Sequence, residues 1–128
     1  MKNQMINTIN APKAIGPYSQ AVRTGDLLYI SGQIPVNPAT GEVVENCFKK
    51  QTEQCMKNLL AILNEVGLDF TNVVKMNLFI TDMAKFADVN EVYATFFTAD
   101  YFPARACVQV SALPKNVLVE IEAVASFN

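Results

Sequence analysis

Residues 46–66 carry the pattern that most constrains this chain. Phe48, Thr52, Cys55, Met56, Leu59, Ile62, Leu63 and Val66 recur at spacings of three and four. That spacing puts them on one stripe of an α-helix. Lys49, Lys50, Glu53, Lys57, Asn58 and Glu65 fall on the other side. Asn46 stands at the N-cap position, and Gly67 where a C-cap glycine belongs. An apolar stripe of this length needs an apolar surface to lie on.

Strand patterns supply that surface. SQAVRTGDLLYISGQIPV divides at Thr24-Gly25-Asp26 into two strand-like runs, which predicts a β-hairpin. In its second run Leu28 and Ile30 face one way, and Leu27, Tyr29, Ser31 and Gln33 the other. Val73–Ile80 is rich in strand formers, with faces Val74/Met76/Leu78/Ile80 and Val73/Lys75/Asn77/Phe79. A second helix is predicted over Phe86–Phe97. Two more strands follow, Arg105–Val110 and Val117–Ala125, joined by a loop at Leu113–Asn116. APKAIGPY at 11–18 is irregular, and a further strand is expected near the N-terminus. The expected fold is α+β: a two-layer sandwich in which a mixed six-stranded sheet carries two helices on one face. With 128 residues, positions 1–128 make one domain.

The helices cover one side of such a sheet, so the other side should be solvated and charged. It is not. Arg105, Cys107 and Gln109 alternate against Ala106, Val108 and Val110. Leu118, Glu120, Glu122 and Val124 alternate against Val117, Val119, Ile121 and Ala123. Together with Tyr29, Ser31 and Gln33, the first member of each set reads as one mixed face of apolar area and small polar groups. Only 17% of the chain is charged and 51% is hydrophobic, which favours burial of this face against another subunit.

Histidine is absent, which removes the commonest general base, the Ser/His and Cys/His dyads and most zinc sites. The five glycines form no P-loop or dinucleotide pattern. No cofactor and no metal are therefore expected. A net charge of −2 with no basic-aromatic stripe argues against nucleic acid. No apolar run is long enough to cross a membrane. The N-terminal MKNQMINTIN lacks an apolar signal region, and three unframed cysteines suit a reducing compartment. A cytoplasmic protein is the expectation.

Several separated segments then agree, in order and spacing, with one family. APKAIGPYSQA at 11–21, ISGQIPVNPATGE at 30–42, NEVYATFF at 90–97 and PARACVQVSALPKNVLVEIE at 103–122 closely resemble the RidA (YjgF) family of imine deaminases. The resemblance implies the fold of the small homotrimeric chorismate mutases, with three clefts at the subunit interfaces. It implies hydrolysis of 2-imino acids and their enamine tautomers to 2-keto acids and ammonia.

On this resemblance Arg105 anchors the substrate carboxylate, since a planar guanidinium offers two charge-assisted hydrogen bonds. A salt bridge from Arg105 to Glu120 or Glu122 is the alternative reading of the same residues. Glu120 places the attacking water; Glu122 shares its face by strand alternation, and only the family motif selects Glu120. Tyr18, held by Pro12 and Pro17, lines the cleft. Ser31 and Gly32 contribute a hydroxyl and a close backbone approach. Asn90 shapes the site, unless it is a polar position on a helix surface. Cys107 contacts substrate through its backbone and is not a nucleophile, there being no histidine to activate it. The connection Thr98–Phe102 is shorter than in many relatives, and Ser111 stands where several carry a basic residue; both bear on side-chain preference. A non-catalytic regulatory module using the same cleft is the alternative function. A translation inhibitor or endoribonuclease is a second, which the charge and the missing histidine disfavour.

Overall fold

The computed structural model describes residues 2–128. In chain order its elements are β1 (Gln4–Ile6), β2 (Ala21–Thr24), β3 (Leu27–Gln33), β4 (Val36–Asn37), β5 (Glu42–Val43), α1 (Phe48–Glu65), β6 (Val73–Ile80), α2 (Phe86–Ala94), β7 (Ala104–Gln109) and β8 (Val119–Ser126). The main sheet has six strands in the order β1-β2-β3-β8-β6-β7, and β4 pairs with β5 separately. Neighbours in the main sheet are antiparallel except β6 and β7, which are parallel and joined through α2. Both helices pack on one face, so the α+β sandwich is as expected. No helix among the described residues is long and apolar enough to cross a membrane.

The core lies between that face and α1. Cys55, Met56, Leu59, Ile62 and Leu63 meet Leu28, Met76, Leu78, Ile80 and Ile121, all fully buried. Helix α1 starts one residue later than its cap was expected to allow. Cys47, not Asn46, is the N-cap; its carbonyl accepts the first helical bond from the Gln51 N–H at 2.9 Å, and no side chain caps the end. Gly67 closes the helix at φ +77, the left-handed conformation that glycine adopts without a Cβ clash. Asn58, expected among the solvated residues, is buried. Its amide donates to the carbonyls of Ile34 (3.2 Å) and Val36 (3.0 Å), tying α1 to the chain after β3. Helix α2 stops at Ala94, short of Phe97. Its last turn tightens so that Phe96 and Phe97 stack on Phe70, with ring centroids 5.7 and 5.3 Å away.

Two irregularities change which side chains face the helices. In β6 the register shifts between Val73 and Lys75, so Val73 is buried and Val74 is exposed, the reverse of strict alternation. In β3 it shifts between Ile30 and Gln33. The extra residue turns Gln33 into the interior, away from the face that carries Tyr29 and Ser31.

Candidate active site

The PAR segment leads into β7, an edge strand. The parallel register pairs Arg105 with Met76, Cys107 with Leu78 and Gln109 with Ile80. Paired residues share a face, and those three β6 partners are fully buried beneath the helices. Arg105, Cys107 and Gln109 therefore lie on the helix side of the sheet. Alternation along β7 correctly grouped them, but grouped them with the wrong face; the register to β6 decides this, and no pattern within β7 carries it.

Helix α2 receives Arg105. Nη1 donates to Asn90 Oδ1 at 2.6 Å, and the guanidinium carbon lies 5.3 Å from the Phe86 ring centroid and 4.9 Å from that of Tyr93. Phe86, Asn90 and Tyr93 are spaced i, i+4 and i+7 and so form one wall. Asn90 thus lies against Arg105 rather than free on the helix surface. Phe86 and Tyr93 stand on the same wall, and their spacing from Asn90 was the available signal. No carboxylate among the described residues pairs with Arg105. The alternative salt bridge to Glu120 or Glu122 is ruled out, because those residues leave the opposite face of the sheet.

A cleft of about 390 Å³ opens beside the guanidinium, lined by Asn90, Tyr93, Ala94, Phe102, Pro103 and Arg105. The Tyr93 hydroxyl is buried with no hydrogen-bond partner. Its burial, outweighing the pull of the Arg105 charge, pushes the phenol up to about 12. Burial likewise raises the Cys107 thiol against the opposing pull of Arg105, which keeps it a thiol and a poor nucleophile.

The second group of expected residues gathers on the open face. Val119, Ile121, Ala123 and Ala125 point to the core, so Glu120 and Glu122 point away from it. The β3 bulge brings Ser31 and Gly32 beside them. Ser31 is fixed by its hydroxyl, which donates to the Ser19 carbonyl at 2.6 Å, and by its N–H to the Gln20 carbonyl at 2.9 Å. A Cβ on Gly32 would stand 2.1 Å from Glu120 Oε2, so only glycine leaves this carboxylate its place. Burial first, then the neighbouring Glu122 charge, raises the Glu120 carboxyl. Glu122 accepts a hydrogen bond from Asn77 Nδ2 at 3.0 Å, a contact that needs the β6–β8 register and has no signature in sequence.

Tyr18 stands half-exposed in the segment before β2, its hydroxyl accepting from the Ile15 N–H at 3.4 Å. That segment is latched by the buried Gln20 amide. Gln20 accepts from the Thr8 N–H (2.7 Å) and donates to the carbonyls of Thr8 (3.1 Å), Ala11 (3.4 Å) and Pro12 (2.9 Å). The expected residues thus fall into two groups: Arg105, Asn90 and Cys107 beside α2, and Ser31, Gly32 and Glu120 on the open face.

Known proteins carry the same fold and related sequences. The family model described as Endoribonuclease L-PSP matches residues 8–127. A human 2-iminobutanoate/2-iminopropanoate deaminase is 48% identical over 122 residues, covering 95% of this chain and 88% of its own. A crystal structure of a conserved Rid family protein of unknown function from Yersinia pestis superposes with a TM-score of 0.95 at 50% identity, covering 98% of this chain and 99% of its own. The E. coli TdcF structure with bound serine gives 0.91 at 46% identity, covering 96% and 98%.

Proposed function

The chain belongs to the Endoribonuclease L-PSP family, which includes the RidA (YjgF) proteins, and from that premise we propose that it hydrolyses reactive 2-imino acids and their enamine tautomers, such as 2-aminoacrylate and 2-iminobutyrate, to 2-keto acids and ammonia. Arg105 is the observation that carries this reading. It is a half-buried cation whose side chain meets one neutral acceptor and no carboxylate. Such a group is costly to leave unpaired, and its free N–H fork suits a small carboxylate entering the cleft. The human deaminase at 48% identity supports the reaction class. TdcF, solved with bound serine, supports a small carboxylated ligand.

Arg105 and Glu120 leave opposite faces of one sheet, so one copy holds the anchor without the base. In our reading a second copy completes the cleft. The β7 edge of one chain lies against the Tyr18, Ser31, Gly32 and Glu120 face of the next, and three copies close a homotrimer with a site at each interface. The exposed Tyr29, Val74 and Val108 give the open face the apolar area that such contact needs. The three cysteines are free, which suits the cytoplasm.

The chemistry is hydrolytic and redox-neutral. Arg105 holds the substrate carboxylate and so fixes the imine carbon. Glu120 orients a water and takes its proton as the oxygen bonds to that carbon. The C=N bond becomes single, giving a carbinolamine, and the proton passes to nitrogen. Glu120 then takes the carbinolamine hydroxyl proton and delivers it to the amino nitrogen as the C–N bond breaks, so that ammonia leaves and the keto acid forms. A raised carboxyl is the stronger base and takes the proton of the attacking water more readily. Neither a covalent enzyme intermediate nor Cys107 is required.

The test generates 2-iminobutyrate and 2-aminoacrylate with a dehydratase and traps unhydrolysed imine with semicarbazide. The wild-type protein is expected to suppress semicarbazone formation, and Arg105→Ala to fail. If neither protein changes the trapping while the wild type binds 2-oxobutanoate, the cleft binds without turnover and the regulatory reading replaces this one.

A further inference from the structure

The cleft beside Arg105 has a polar wall and an apolar one. Arg105 and Asn90 make the first; Phe102, Pro103 and Ala94 make the second. Phe102 is the unusual member, an aromatic ring left 54% exposed. Two features hold it in place without a partner on its outer side. Phe97 packs against it, with ring centroids 5.7 Å apart at 48°. Pro103 follows it, and a residue before proline is confined to extended backbone. The ring is therefore pre-organised, and little ordering is lost when something covers it.

Within one chain the cleft measures about 390 Å³, so a three-carbon imino acid anchored at Arg105 leaves room along the Phe102 wall. A longer apolar side chain on the same α-carbon can occupy that room and bury the ring. We infer that Phe102 is a specificity-determining residue, and that this cleft selects 2-imino acids with branched or aromatic side chains over those with a methyl group. The inference rests on the deaminase reading and adds the substrate class. Each methylene gained in an apolar pocket is worth about tenfold or more in discrimination, so the preference is expected to exceed tenfold.

The experiment uses the full chain and D-amino-acid oxidase, which generates the 2-imino acids of alanine, leucine and phenylalanine from the D-amino acids. Loss of each imine is followed by semicarbazide trapping. The wild type is expected to show a kcat/KM at least about tenfold higher for the leucine and phenylalanine imines than for the alanine imine. Phe102→Ala should abolish that preference, bringing the kcat/KM values for the three imines within about twofold of one another. Phe102→Leu, which keeps apolar bulk behind Phe97, should retain the leucine preference and lose most of the phenylalanine one. Equal rates on all three imines in the wild type, or an equal loss on all three in Phe102→Ala, would overturn the inference and leave the deaminase reading standing. If the wild type hydrolyses none of them, the deaminase reading falls. Calorimetry with 3-phenylpyruvate and pyruvate then decides the role of Phe102. A wild-type preference for 3-phenylpyruvate that Phe102→Ala removes supports it, and equal binding overturns it.

Discussion

Gly32 is the residue whose replacement isolates the proposed catalytic carboxylate from the fold. Its backbone is not left-handed, so alanine there brings no φ strain. The added Cβ would, however, fall 2.1 Å from Glu120 Oε2 and drive the carboxylate off its seat. Gly32→Ala should therefore keep its secondary structure by circular dichroism and lose about 10²-fold in imine turnover, the scale of an ångström misplacement. Glu120 itself makes a prediction about pH. Burial and then Glu122 raise its carboxyl in the folded chain, so the native state binds the proton more tightly than the unfolded one. Stability from this group is greatest at low pH and falls as pH rises above the ordinary carboxylate range. Glu120→Gln should accordingly melt higher than wild type at neutral pH, with the gain vanishing in acid, while turnover is lost. The wild-type rate should fall on the acid side with a midpoint above an ordinary glutamate, and Glu122→Gln should move that midpoint lower. A pH series of melting curves and initial rates checks each sign.

At the scale of elements, strand β7 shows what sequence can and cannot reveal. The stripe of α1, the bounds of Val73–Ile80 and the β2–β3 hairpin were all legible, because periodicity and turn residues are local signals. Alternation also separated Arg105 and Cys107 from Ala106 and Val108. It could not say which set faces the helices, since that depends on pairing with β6 across the intervening α2. The β3 bulge was hidden for the same reason: Gln33 turns inward because β8 offers one fewer residue opposite Ser31–Gly32. The family motif singled out Arg105 and Glu120, but their separation onto two faces was not legible. Buried amides were the other blind spot. Asn58 read as a surface residue, and nothing in the sequence marked Gln20 as buried, until their backbone partners were known. Gln20 bonds Thr8, Ala11 and Pro12 and so fixes the segment that presents Tyr18. Gln20→Leu strands those groups and should cost about 1–3 kcal/mol in a denaturant titration. It should also raise KM for imines, through a loosened Tyr18, with Arg105 untouched.

For the whole molecule the open sheet face and the Arg105 cleft are one problem. A face carrying Tyr29, Val108 and the Glu120–Glu122 pair is poorly suited to water, and the cleft beside α2 contains a cation and no base. Seating one copy's face on another copy's β7 edge, as proposed, would answer both and would make catalysis a property of pairs of chains. That arrangement predicts complementation. Arg105→Ala and Glu120→Gln should each be inactive alone. When equal amounts are unfolded together and refolded, a site is intact where one chain keeps Arg105 and its neighbour keeps Glu120, so random mixing restores about a quarter of wild-type turnover. Mixing without unfolding should restore activity only as fast as subunits exchange. A site housed within single chains gives no recovery at any mixing ratio, so the refolded mixture distinguishes the two arrangements from one rate measurement. Light scattering on the same samples reports whether three chains, as proposed, travel together.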